Sequence, residues 1–382
     1  MLLDALAHAL VDGVCAATLF SAAFSASAQS AFASLILLYD LLAFATQGLT
    51  GLLADWLNAR FDRSARLRRG TGLRLCTAFS CLLTAAAWVL PLSPLLRAVT
   101  AGVGNSLFHV FGGVRCLTGA GGKLGPLGVF VAPGAVGLAA GRCFPAAGGF
   151  LCGGLVLCAG AMLLCRKEQA GACFKAAGEK ELSVRPEHGE SPLRKGPERD
   201  RYPVLPVCAA LLFAVAVRSF GGFLYAFPWK TGTAAALLLA AACAGGKAAG
   251  GFLADRFGIR TVALVSIPLS GLLTALFPGS MPLSLAGQFL LNLTMPLTLH
   301  LLYAALPEAP GFSFGLAASM LAVGYWAARS ISLPAEWLIL AVAAVFFLNF
   351  LAMWYACKKL CPDAPKKAGR FSSGAAIRKE TR

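Results

Sequence analysis

The sequence predicts an all-α polytopic membrane protein of about twelve spanning helices, arranged as two pseudo-symmetric six-helix bundles. Three observations lead there. Charge-free stretches are long enough to cross a bilayer. A ten-residue segment recurs 200 residues further on. Lys and Arg are distributed unevenly between alternate turns.

Of 382 residues, 58% are hydrophobic and 13% charged, where a soluble domain of ordinary composition carries about 25% charged residues. Residues 13–39, 75–96, 143–165 and 337–357 contain no Asp, Glu, Lys or Arg, and 261–307 is free of them over 47 residues. A helix needs about 20 apolar residues to cross the hydrocarbon core, so each stretch can span once and the longest twice. Backbone groups in lipid must be satisfied within their own segment, which makes these spans helices. No period-two alternation of the membrane-barrel kind is present.

The expected spans are 3–26, 31–54, 72–92, 95–117, 124–145, 147–165, 203–226, 231–254, 259–279, 282–305, 312–332 and 335–356. Residues 1–165 then form an N-terminal bundle and 203–356 a C-terminal one. Between them, 166–202 is rich in Lys, Glu, Arg, Pro and Gly and cannot bury a core, so it reads as a disordered linker. Residues 357–382 read as a basic tail able to lie against anionic lipid headgroups. The first segment holds Asp4, His8 and Asp12 and no early Lys or Arg, so it reads as an uncleaved helix rather than a signal peptide.

The net charge is +16, yet 27 of the 33 Lys and Arg fall on one set of turns and tails and four near the opposite surface. That asymmetry is the positive-inside signature, not a nucleic-acid footprint. It predicts both termini in the cytoplasm of a cell whose membrane is most simply a bacterial inner membrane. The 13 cysteines are scattered through apolar segments without metal-ligand spacing. Cys357 and Cys361 read as two reduced thiols. Neither a metal nor a cofactor is expected.

The repeat is Gly51-Leu52-Leu53-Ala54-Asp55-Trp56-Leu57-Asn58-Ala59-Arg60 against Gly251-Phe252-Leu253-Ala254-Asp255-Arg256-Phe257-Gly258-Ile259-Arg260, identical at five of ten positions. Each copy follows the second span of its half. Duplicated halves are a transporter architecture, with the binding site near the midplane between them. The glycines Gly51 and Gly251 permit close helix contact, Gly258 supplies a tight turn, and the Asp–Arg pair, Asp255 with Arg256, can lock neighbouring helix ends. In the first copy Trp56 takes the Arg position, leaving Asp55 with Arg60 and Arg63 as candidate partners.

The pattern G-x-L-A-D-R-x-G-x-R resembles the loop motif of the major facilitator superfamily, which joins helices 2 and 3 and again 8 and 9. The resemblance covers the whole chain in outline and implies that fold and a transport function. More narrowly, Gly102-Val103-Gly104-Asn105-Ser106-Leu107-Phe108-His109 followed by Arg115 is similar to helix 4 of fosmidomycin-resistance-type efflux members. His8-Ala9-Leu10-Val11-Asp12 resembles their first helix. Val110 and Phe111 stand where that group carries a Pro and an acidic residue.

Ionisable groups inside spans are costly and mark function by default. They are His8, Asp12, Asp40, His109, Arg218, Lys247 and His300. The resemblance places the first, fourth, seventh and tenth spans around a central cavity, and five of these seven residues lie on those four spans. His8 and Asp12 share a helix face, as do Asn105 and His109. Asp12 and His109 should lie at similar depth, and a carboxylate–imidazole pair is the chemistry a proton relay requires. Asp12, His109, His8 and Asp40 are therefore the candidates for proton coupling. Arg218, Asn105, His300 and Asn292 are those for substrate. Gly51, Asp55, Arg60, Gly251, Asp255, Arg256, Gly258 and Arg260 are those for gating.

No phosphate loop, G-x-S-x-G elbow or H-E-x-x-H helix appears, which argues against an enzyme and against direct ATP drive. The expected function is secondary transport of a small organic molecule by a monomer in the lipid bilayer, as proton-linked efflux by alternating access. Uptake by a solute–proton symporter or facilitator is the alternative. A polytopic enzyme or non-transporting sensor is the alternative of another class.

Overall fold

The computed structural model describes residues 1–21, 24, 31–62, 70–164, 203–224, 227–331 and 334–361. The linker expected at 166–202 and most of the tail expected at 357–382 lie outside them, as does Arg63.

The described chain is helical almost throughout. The first span begins as α1 (Leu2–Phe20), after which Ser21 is extended, and most of the remainder expected to residue 26 lies outside the described residues. The second is α2 (Phe32–Asp40), a π-turn at Leu41–Ala45 and α3 (Gln47–Asp62). The third and fourth are α4 (Thr71–Val89) and α5 (Pro94–Gly119). The fifth is broken before Pro133 into α6 (Gly125–Val131) and α7 (Pro133–Cys143), and α8 (Gly148–Leu164) is the sixth. In the second half, α9 (Val204–Leu224), α10 (Gly232–Phe257) and α11 (Ile259–Leu276) are the seventh to ninth. The tenth divides into α12 (Met281–Asn292) and α13 (Thr294–Ala305), followed by α14 (Pro310–Ser330) and α15 (Ala335–Leu360). Helix α15 thus takes in the first four residues of the expected tail.

Ten of these spans are long and apolar enough to cross a membrane, and an eleventh is the second, bent by 41° at its π-turn. The remaining one, α5, has 26 residues. Its length suffices at about 1.5 Å per residue. Its composition falls short because it carries Arg97, Asn105, Ser106, His109 and Arg115. The helix least suited to lipid is the one that carries much of the site.

Packing follows a two-fold rule. In the first half, span one packs on five, three on four, and three on six. In the second, seven packs on eleven, nine on ten, and nine on twelve. Adding six to each number converts one set into the other. Between halves, two packs on eleven and five on eight, which the same rule exchanges. The chain is therefore an all-α polytopic membrane protein of two pseudo-symmetric six-helix bundles.

Small residues set these crossings. A Cβ on Gly137 would run into the carbonyl of Ala9 where spans five and one cross, and one on Gly324 into that of Ala216 where eleven and seven cross. Gly258, at φ 86°, makes the turn from α10 to α11 in a backbone conformation that suits glycine.

Candidate functional site

Two features stand out: a pair of locks between the bundles, at the end that bears the termini, and a polar cluster deeper in, within the first bundle.

The locks come from the repeated segment. Asp55, on α3, accepts hydrogen bonds from the backbone N–H of Gly311 at 2.6 Å and Phe312 at 2.8 Å, at the start of α14. Asp255, on α10, accepts them from Leu124 and Gly125, both at 2.8 Å, at the start of α6. The first N–H groups of a helix have no partner within it and carry the positive end of its dipole, so a carboxylate satisfies both needs. Glycines let the backbones approach. A Cβ on Gly51 would strike the backbone of Gly311 and Phe312, and one on Gly251 that of Leu124 and Gly125.

The arginines of the motif act otherwise than expected. Arg256 lies over the ring of Phe257 at 5.4 Å, and Arg60 over Trp56 at 5.7 Å. Each aspartate holds a helix start of the opposite half, and the neighbouring arginine stacks on an aromatic ring.

The deeper cluster joins α1, α5 and the break between α6 and α7. Asp12 Oδ2 lies 3.4 Å from His8 Nε2, and Asp12 Oδ1 lies 3.6 Å from His109 Nε2. Asn105 donates from Nδ2 to Asp12 Oδ1 at 2.9 Å. His8 Nδ1 is 2.7 Å from the Phe130 carbonyl and His109 Nδ1 is 2.9 Å from the Asn105 carbonyl. A carbonyl only accepts, so both Nδ1 atoms carry hydrogen. In a neutral ring the proton-free nitrogen is then Nε2, and both Nε2 atoms face the carboxylate. The two imidazole rings meet edge-on with centroids 4.4 Å apart. Gly134 leaves the room, since a Cβ there would meet His8 Nε2 and Asp12 Oδ2.

Three electron-pair donors therefore converge without a hydrogen between them, an arrangement that only a cation makes favourable. The sequence spacing offered no metal-ligand set, yet folding brings three ligating groups within 4.8 Å of one another.

The second half presents cations. Arg218, on α9, donates to Thr294 and Thr298 at 3.3 and 3.2 Å and lies 2.8 Å from Met295 Sδ. Lys247, on α10, lies within electrostatic reach of Asp12, His109 and Arg218. Among the described residues, no carboxylate forms an ion pair with either cation.

The other expected site residues are placed differently. Asn105 serves the carboxylate of Asp12 rather than the second-half cations. Asp40 ends α2 just before the π-turn, outside the cluster. Asn292 closes α12, where its amide donates to the Gln288 carbonyl at 2.8 Å. His300 lies two turns beyond, buried on α13, with Nε2 lacking a hydrogen-bond partner among the described residues.

Three contributors went unnoticed in the sequence. Thr294 and Thr298 were hidden because threonine is ordinary in apolar helices. Asp4 pairs with Arg115 Nη1 at 2.7 Å, tying the start of α1 to the end of α5. An acidic and a basic residue, each at the same end of its own span, was the available signal.

The fold is the two-bundle membrane fold of the major facilitator type, here locked at one end. No family model matches the chain, and no curated protein matches it in sequence. Among solved structures it is similar to the E. coli fucose:proton symporter FucP, at 13% identity and a TM-score of 0.53, over 92% of this chain and 98% of that one. It is also similar to a major facilitator superfamily transporter, FucP, in the outward conformation, at 12% identity and a TM-score of 0.57 over the same shares. At these identities the likeness is one of fold.

Proposed function

We propose that this chain is a secondary active transporter that moves a small organic anion by alternating access, linked to proton movement, and that it works as an exporter. One observation carries the reading. A carboxylate and two imidazoles in the first half need a cation, and two cations in the second half have, among the described residues, no ion-paired carboxylate. A proton satisfies the first group and an anionic substrate the second.

The two halves communicate through Lys247, which feels both Asp12 and Arg218. Loading or removing a proton at Asp12 changes the field at the substrate side, which is the coupling an exchanger requires. The locks supply the gate. With the termini in the cytoplasm of a bacterial inner membrane, as the basic turns favour, the locked end is the inner one and the chain stands outward-facing. Export rests on the similarity of the first and fourth spans to the efflux branch. The protein works as a monomer, since each bundle completes the site of the other.

The test is proton flux in proteoliposomes carrying an internal pH-sensitive dye, run across a panel of organic anions and matched neutral compounds. The expected result is a substrate-dependent flux, selective for anions, with protons moving against the substrate. Flux in the same direction as substrate makes it a symporter. A panel in which no compound moves protons overturns the proton linkage.

A further inference from the structure

We infer that His8, Asp12 and His109 form a binding site for a divalent late first-row metal ion, with Zn²⁺ as the natural occupant. This rests on the reading of the cluster as a proton site and adds a second cation to it.

The geometry is that of a ligand set. In tetrahedral zinc the ligands lie about 2.0–2.2 Å from the ion, which puts neighbouring ligand atoms about 3.3–3.6 Å apart. His8 Nε2 lies 3.4 Å from Asp12 Oδ2 and His109 Nε2 lies 3.6 Å from Asp12 Oδ1, and one ligand atom from each of the three residues lies within 4.8 Å of the other two, so a small closure about an ion completes the set. Both Nε2 atoms are free of hydrogen in the neutral rings, so neither imidazole has to change tautomer.

The surroundings are those of a metal site as well. A ligating imidazole commonly donates its other N–H to a carbonyl or carboxylate, which fixes its orientation. Here the Phe130 and Asn105 carbonyls receive those protons at 2.7 and 2.9 Å. Asn105 also holds the ligating carboxylate from the side at 2.9 Å. Two imidazoles are borderline ligands, and beside a single carboxylate they favour zinc, cobalt and nickel over magnesium or calcium. Three protein ligands leave a fourth position open.

The other titratable groups facing Asp12 are Cys15 on α1, Tyr39 on α2 and Lys247 on α10.

The experiment uses the purified full-length chain in detergent and Co²⁺ alone as the probe. One Co²⁺ per chain should bind with the intense visible bands of a tetrahedral or five-coordinate ion, without the near-ultraviolet charge-transfer bands of thiolate ligands. Zn²⁺ should remove the bands. His8→Gln and His109→Gln should each weaken binding at least tenfold, and His300→Gln should not. Circular dichroism on each variant separates loss of the site from loss of the fold, and Asn105→Ala offers a milder second perturbation that should weaken binding less. Saturable binding that survives both His8→Gln and His109→Gln, thiolate bands, or no binding at all overturns the inference. Proton-linked transport with no Co²⁺ site sinks only this inference. A Co²⁺ site with no proton-linked transport sinks the proton reading and leaves the metal site standing.

Discussion

Asp55 and Asp255 occupy equivalent positions in opposite halves, and each binds two backbone N–H groups at the start of a helix in the other half. The distances are 2.6 and 2.8 Å for Asp55 and 2.8 Å twice for Asp255. The pseudo-two-fold symmetry thus extends from the packing to single hydrogen bonds.

From that equivalence, Asp55→Asn and Asp255→Asn should have effects of similar size, even though Trp56 replaces an arginine in the first copy. Hydrogen bonds to a charged group contribute about 1.5–3 kcal/mol each. An amide still offers one acceptor, so each substitution should shift the open–closed equilibrium by about tenfold to a hundredfold. Spin-label distances across the locked end should lengthen in both variants while membrane insertion is unchanged. A large effect at Asp255 with none at Asp55 would show that the arginine, not the helix start, is what the aspartate needs.

The glycines beneath the locks are steric requirements. Gly51→Ala places a Cβ against the backbone of Gly311 and Phe312, which no rotamer change can relieve. It should prop the two bundles apart at the locked end and slow the conformational cycle. Gly153→Ala, where nothing lies within 4 Å of the added Cβ, should behave as the parent. Reactivity of cysteines introduced at the locked end checks both.

Asp12→Asn removes the negative charge that two imidazoles share. Transport driven by a pH gradient should fall by at least tenfold and its dependence on pH should flatten. Substrate exchange, which moves no net proton, should persist. Asn105→Ala should give an intermediate loss, because it frees the carboxylate without removing it. Gradient-driven transport at the parental rate in Asp12→Asn would move the proton role to Asp40.

Arg218→Ala should weaken anion binding about tenfold to a hundredfold, given the strength of charged hydrogen bonds. Arg218→Lys should recover part of it, since a point charge remains but the fork that spans Thr294, Thr298 and Met295 is lost. Lys247→Ala should reduce both anion affinity and the response of that affinity to pH, because it stands between the two sites. Equilibrium binding measured with the best anion of the transport panel decides each case.

Much of this protein was legible before folding. Charge-free runs must become helices in lipid, because nothing else there satisfies the backbone, so most of the spans followed from composition, the polar fourth being the exception. The repeat at 200 residues marked two halves, and the cost of ionisable groups in a bilayer singled out His8, Asp12, His109 and Arg218. Tertiary structure alone decided what those residues touch. That Asp255 binds a helix start rather than its own arginine depends on backbone N–H groups 130 residues away. That two imidazoles offer Nε2 to one carboxylate depends on which carbonyl each Nδ1 meets. That Asn105 serves Asp12 depends on where spans one and four cross. Sequence records which groups must avoid lipid, because that cost is local. Their partners are set by the approach of distant helices, which is a property of the packed whole.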